Sequence, residues 1–124
     1  MAMQESGEMY LETILILSKT NPFVRAIDIA DYMNYSKPSV SRALGLLKRD
    51  SYIIVENGGN IILTPKGKER ASIILERHNV ISALLKSLGV SEKTAIEDAC
   101  RIEHYISDET FQALKNHIEK YGNK

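Results

Sequence analysis

RAIDIADYMNYSKPSVSRALGLLKRDSYIIVENGGNIILTP, residues 25–65, is the stretch that decides the fold. Ile27, Ile29, Ala30 and Met33 give Arg25 to Met33 the pattern of a short helix, and Asn34-Tyr35-Ser36 links it to a second. Ser36 has the hydroxyl of an N-cap, and Pro38 is tolerated in the first turn, where its missing N–H has no intrahelical partner. The helix so begun runs to about Asp50 and buries Val40, Ala43, Leu44 and Leu47. Two β-branched runs, at Tyr52 to Val55 and at Ile61 to Leu63, flank Asn57-Gly58-Gly59-Asn60, which predicts a β-hairpin. Thr64-Pro65 then reads as a cap followed by proline at the first helical position.

Outward from this core the rest is helical. Met9, Tyr10, Thr13, Ile14 and Leu17 recur at spacings of three and four, placing a helix from Glu5 to Lys19, with Asn21-Pro22 as its stop. A long helix from Pro65 carries Ala71, Ile74, His78, Ile81, Leu85 and Leu88 on one stripe and stops at Gly89. Ser91 caps a further helix through Tyr105, and Ser107 a last one through about Tyr121. The fold class is therefore mainly α, and two short helices followed directly by a hairpin match a winged helix-turn-helix. We expect a DNA-binding domain over residues 1–64 and a helical domain over residues 65–124.

Charge agrees with that reading. The chain as a whole is neutral, but residues 1–36, 37–70 and 71–124 carry net −3, +4 and −1, so the cationic part coincides with the second helix of the pair and the hairpin. In such a motif that helix lies in the major groove and presents its N-terminal residues to base edges. Here those residues are Ser36, Lys37, Pro38, Ser39, Ser41 and Arg42. Serines suit phosphate or base, Arg42 suits the paired acceptors of guanine, Lys37 a phosphate and Pro38 a thymine methyl. Lys48, Lys66 and Lys68 are placed to touch the DNA backbone, and neutral Asn57 and Asn60 allow only a light wing contact.

At 124 residues, with 44% hydrophobic and 26% charged residues, the chain has the composition of an ordinary globular protein. Its apolar runs are too short to span a membrane, and it opens on no basic region followed by an apolar segment, so we expect a cytoplasmic protein without a membrane partner. One cysteine excludes an internal disulfide framework. Such a thiol is a small hydrophobe, a reactive group or a metal ligand.

Cys100, Glu103 and His104 stand at i, i+3 and i+4, which puts a thiolate, a carboxylate and an imidazole on one helical face. All three suit a first-row divalent metal. His78 sits inside the apolar stripe of the long helix, where an imidazole needs a partner, and Met9 and Glu12 are again three apart. Each also has a plainer reading: packing for Cys100 and Met9, a satisfied core histidine for His78, a surface carboxylate for Glu103.

Several segments together resemble the metal-dependent repressors typified by the diphtheria toxin repressor and the manganese transport regulator. They are Glu8-Met9-Tyr10-Leu11-Glu12, Ile29-Ala30, Ser36 to Ser41, Leu63-Thr64-Pro65-Lys66-Gly67, Arg77-His78, and Ala99 to Glu109 with its Cys100-Arg101-Ile102-Glu103-His104 run. The resemblance covers nearly the whole chain. It implies that Met9, Cys100, Glu103 and His104 match the main site of the iron-responsive branch, that His78 matches a ligand of both branches, and that Glu12 matches a carboxylate ligand of the manganese-responsive branch. It also implies that the helical half binds metal and dimerises, so that a homodimer presents two recognition helices to a palindromic operator. Two departures stand out. Ser82 and Ile96 replace a carboxylate and a histidine of the iron branch's accessory site, and the chain ends at Lys124 without the SH3-like domain of longer members.

The expected function is a metal-dependent transcriptional repressor that controls metal-homeostasis genes. Sulfur donors favour Fe(II), Co(II), Ni(II) or Zn(II) over Mn(II), and availability in the cell places Fe(II) first and Mn(II) next. The competing reading is a winged-helix regulator that binds DNA without metal and answers to another ligand, separable by adding chelator. Cys100 near His104 also suggests a thiol nucleophile, but no oxyanion site or substrate loop accompanies it, so neither an enzyme nor a small organic substrate is expected.

Overall fold

The computed structural model describes residues 5–121, with side chains from Gly7 onward. Its elements are α1 (Glu5–Ser18), α2 (Ala26–Met33), α3 (Lys37–Arg49), β1 (Ile53–Val55), β2 (Ile61–Leu63), α4 (Pro65–Ser87), α5 (Glu92–Ile102) and α6 (Asp108–Tyr121). This is the expected order of three helices, a hairpin and three helices. The chain divides into two compact units, Met1–Ser72 and Ile73–Lys124, and the division falls inside α4. No helix among the described residues is long and apolar enough to cross a membrane.

In the first unit, α1 touches α2, α3 and β2, and α2 lies against α3. The buried residues of α1 are Glu8, Tyr10, Leu11, Glu12, Thr13, Ile14 and Leu15, with Met9 and Leu17 only half-buried. The single stripe read from the sequence is therefore too narrow, because the central turns of α1 are covered on most of their circumference. Burial moves Tyr10 above its ordinary pKa of 10.0, with Tyr35, whose ring lies 6.1 Å away, adding to the effect. The folded state thus favours the protonated phenol; this contribution is complete below pH 10 and is lost as pH rises through the folded value. We expect Tyr10→Phe to lose less stability than the wild type between about pH 10 and 11, read by urea unfolding at each pH. Parallel losses would remove Tyr10 from the alkaline transition.

Asp28 accepts from the Arg25 N–H at 2.9 Å to start α2, and Asn34 ends it in the left-handed conformation at φ 58°. Val40, Leu44 and Leu47 form the buried side of α3; Ala43 is half-buried. In the hairpin, Ile54 pairs with Ile62 on the exposed face, and Ile53 and Ile61 bury the other. Gly58 and Gly59 supply φ values of 90° and 88° at its turn, which residues with a Cβ seldom adopt. Asn60, read from the sequence as a neutral residue at the hairpin tip, has a partner outside the hairpin. Its side-chain oxygen accepts from the Val24 N–H at 3.0 Å, while the Ile61 N–H donates to the Val24 carbonyl at 2.8 Å, so the wing is tied to the chain ahead of α2.

Thr64 knots the first unit together. Its hydroxyl accepts from the Gly67 N–H at 3.1 Å and donates to the Ser51 carbonyl at 2.7 Å, and its N–H donates to the Tyr52 carbonyl at 3.0 Å. The cap of α4 thereby also fixes the segment joining α3 to β1.

In the second unit Ile74, Ile81, Ala95, Ala99 and Phe111 are buried. Leu88, expected on the buried stripe of the long helix, is 70% exposed, because α4 ends at Ser87 and the chain turns there. α5 ends at Ile102 and not at Tyr105 as the pattern suggested, so Glu103 caps the helix and His104 and Tyr105 lie in the following turn. The chain breaks there because Ser107 starts a new helix: its hydroxyl accepts from the Thr110 N–H at 3.1 Å, with Asp108 and Glu109 in the first turn of α6.

Candidate metal centre and nucleic-acid face

The N-terminal turn of α3 is open. Ser36, Lys37, Pro38, Ser39, Ser41 and Arg42 are all exposed, whereas Val40, Leu44 and Leu47 are buried. Ser36 is partly committed, since its oxygen accepts from the Ser39 N–H at 3.3 Å and its hydroxyl donates to Ser39 Oγ at 2.9 Å. Lys37, Ser41 and Arg42 lie on this exposed surface. Lys66 is exposed and also has a partner within the protein. Its ammonium donates to the Asp50 carbonyl at 2.9 Å, at the end of α3, and sits 4.2 Å from the centre of the Tyr52 ring. Lys48 and Lys68 are exposed, as a phosphate contact requires.

In the second unit, His78, Cys100 and Glu103 each offer a ligand atom, and these atoms lie within 4.8 Å of one another. α4 carries His78, the last turn of α5 carries Cys100, and the α5 cap carries Glu103. His78 Nδ1 is 3.0 Å from Glu103 Oε2, and Glu103 is fully buried. A buried carboxylate beside an imidazole and a thiol is costly to maintain without a compensating positive charge, and a divalent cation supplies one. The donor set therefore fits a transition metal.

His104 is also inward: its side chain is 1% exposed, with Nε2 3.3 Å from Glu103 Oε1. It lies in the turn after the α5 cap, next to Glu103. Met9 and Glu12 belong to α1 of the first unit, Met9 half-buried and Glu12 buried. Ser82 is buried and donates to the Asn79 carbonyl at 3.3 Å, and Ile96 is 42% exposed.

Sequence reasoning passed over Arg77 and Asp108. Both lie inside the quoted motifs, and neither was assigned a role. The Arg77 guanidinium donates to the carbonyls of Glu103 at 3.1 Å and Ile106 at 2.9 Å and to the Asp108 carboxylate.

Comparison with known proteins fits this geometry. Residues 2–60 match the iron dependent repressor N-terminal DNA binding domain, and residues 64–123 match the iron dependent repressor metal binding and dimerisation domain. An uncharacterized HTH-type transcriptional regulator of Methanocaldococcus jannaschii is 38% identical, covering 98% of this chain and 99% of that protein. The HTH-type transcriptional regulator MntR of Listeria welshimeri is 33% identical, covering 95% of this chain and 83% of that protein. Among solved structures, the manganese regulator SloR superposes with a TM-score of 0.82 at 27% identity, covering 91% of this chain. IdeR of T. acidophilum superposes with a TM-score of 0.76 at 28% identity, covering 98%. The chain spans about half the length of these two, 53% and 55%.

Proposed function

The chain belongs to the iron-dependent repressor family, and from that premise we propose that it is a transcriptional repressor whose operator binding is switched on by a divalent transition metal. The observation that carries the proposal is the convergence of His78, Cys100 and Glu103 ligand atoms within 4.8 Å. His104, adjoining Glu103, completes the set in the second unit, and Met9 and Glu12 of α1 are the further ligands we assign. A metal held by these residues would supply the positive charge that offsets a Cys100 thiolate and the buried Glu103 carboxylate. Cys100 holds its sulfur, and His78 and His104 their ring nitrogens, in deprotonated form for the cation. Sulfur from Cys100 and Met9 among nitrogen and oxygen donors favours Fe(II), Co(II), Ni(II) or Zn(II) over Mn(II), and cellular availability places Fe(II) first and Mn(II) next. Metal binding selects one arrangement of the chain from a wider set.

On the DNA side, Lys37, Pro38, Ser39, Ser41 and Arg42, with Ser36 capping them, read a palindromic operator in the major groove from each half of a homodimer. Arg42→Ala is expected to lower operator affinity by roughly 10- to 100-fold while leaving affinity for random DNA nearly unchanged. Lys68→Ala is expected to weaken both alike and to flatten the salt dependence. Equal losses on both DNAs for Arg42→Ala remove that residue from base readout.

The function itself is tested by fluorescence anisotropy with labelled genomic fragments in the absence of oxygen. Fe(II), Mn(II), Co(II) and Zn(II) are added in turn to metal-free protein. Tight, sequence-selective binding with metal that is lost on adding chelator is the expected result. Selective binding that chelator leaves unchanged refutes the metal-dependent reading.

A further inference from the structure

We propose that Arg77 is the positioning residue of the metal centre, clamping the turn at residues 103–106 so that Glu103 and His104 are held in register with His78; the inference rests on the metal-dependent reading above.

Helix α5 ends at Ile102, and the turn carrying two of the ligands continues it only by backbone bonds back to residues 99–102, such as the Tyr105 and Ile106 N–H groups donating to the Ile102 carbonyl at 3.0 and 3.3 Å. The last carbonyls of a helix need partners from elsewhere. For the cap residue Glu103 and for Ile106 in the turn, Arg77 is that partner, reaching across from α4, 26 residues away from Glu103 in sequence. Nη1 donates to the Glu103 carbonyl at 3.1 Å and the Ile106 carbonyl at 2.9 Å, and Nη2 donates to the Asp108 carboxylate at the start of α6. The guanidinium also lies 5.4 Å from the centre of the buried Phe111 ring, and Arg77 is 8% exposed.

Arg77 is thus anchored to both ends of the turn between α5 and α6. Because it precedes His78 directly on α4, the clamp and the imidazole share one rigid element. His78 Nδ1 lies 3.0 Å from Glu103 Oε2, and Arg77, next to His78 in sequence, bonds the Glu103 backbone carbonyl. The fork geometry matters. A lysine keeps the charge but gathers its donors on one nitrogen, so it lacks the second arm by which Nη2 reaches the Asp108 carboxylate while Nη1 bonds the two carbonyls. Asp108 contributes least, since its side chain is 98% exposed and its pairing is screened.

The probe is Co(II), titrated without oxygen and followed by its thiolate charge-transfer and ligand-field absorption. Circular dichroism and urea unfolding of metal-free protein establish that each variant is folded. Arg77→Met is expected to bind Co(II) about 10- to 100-fold more weakly with an altered ligand-field spectrum, and Arg77→Lys to recover part of the affinity. If both fail to fold, Asp108→Asn decides: at that exposed position the fold is kept, and binding about threefold weaker with shifted ligand-field bands is expected. A folded variant that binds Co(II) with wild-type affinity and spectrum overturns the proposal, even if its metal-free stability has fallen. Failure of the underlying reading looks different. In that case the wild type itself shows no thiolate band, or His78→Gln binds Co(II) as tightly as the wild type does.

Discussion

Cys100→Ala is expected to fold, to keep its non-specific DNA affinity and to lose the metal response of operator binding. The substitution removes one sulfur atom at a half-buried position, a change that costs the fold little. For the metal the loss is far larger, since Cys100 is one of three donors converging within 4.8 Å. Loss of an outer partner alone costs 10- to 100-fold in metal affinity, so removal of a direct donor is expected to exceed about 100-fold. Cys100→Asp provides the complementary result: a hard oxygen replaces a soft sulfur, so some response returns and its order shifts toward Mn(II). Both are read by titrating metal into an anisotropy assay with an operator fragment, and by the Co(II) charge-transfer band. A Cys100→Ala protein that responds to metal as the wild type does assigns the thiol to packing. Because the ligands must shed protons to bind, the wild-type response is also expected to weaken as pH falls and to be restored by excess metal. The same pH dependence with metal and with chelator contradicts the assignment.

What was legible in the sequence is what neighbouring residues decide. Ser36 and Pro38 start α3, Asn57 to Asn60 turn the hairpin, and Thr64-Pro65 starts α4; each signal acts within a turn of the residues that carry it. Cys100 and Glu103 remain a pair because α5 persists to Ile102 and Glu103, as its cap, keeps helical angles at φ −57° and ψ −24°. The errors arise where a distant partner decides. The bonds from Arg77 to the Glu103 and Ile106 carbonyls, just beyond the end of α5, leave no mark on the 3.6-residue period. Asn60 reads as a loop residue until its hydrogen bond to Val24, 36 positions earlier, is known. Lys66 reads as a DNA-backbone contact, and nothing near it in the sequence shows that its ammonium also reaches the Asp50 carbonyl across 16 positions. Periodicity says which face of a helix is apolar and nothing about which backbone group a long polar side chain will find. Arg77 was hidden for that reason, although the motif containing it was in plain view.

Gly67→Ala is expected to be the most disruptive single-carbon change in the first unit. A Cβ built at Gly67 lies 2.0 Å from the Tyr52 carbonyl oxygen and 3.0 Å from its carbon, separations that no side-chain rotation can relieve because both atoms are backbone. The Tyr52 carbonyl cannot retreat freely, since it accepts from the Thr64 N–H at 3.0 Å and the Thr64 hydroxyl at 3.1 Å. Moving α4 away instead breaks the cap in which the Gly67 N–H donates to Thr64, and with it the support that Lys66 gives to the end of α3. Overpacking of this kind costs roughly 1–3 kcal/mol, and a rigid backbone opponent places Gly67→Ala at or above the upper end. In a chain of this size that corresponds to a fall in Tm of about 10 °C, measurable by thermal unfolding of metal-free protein. The functional consequence follows from where the strain falls. Tyr52 joins the recognition helix to the wing, so operator affinity is expected to drop together with affinity for random DNA, in contrast to the selective loss for Arg42→Ala. Gly67→Ala unfolding within about 2 °C of the wild type is incompatible with the close approach of α4 to Tyr52.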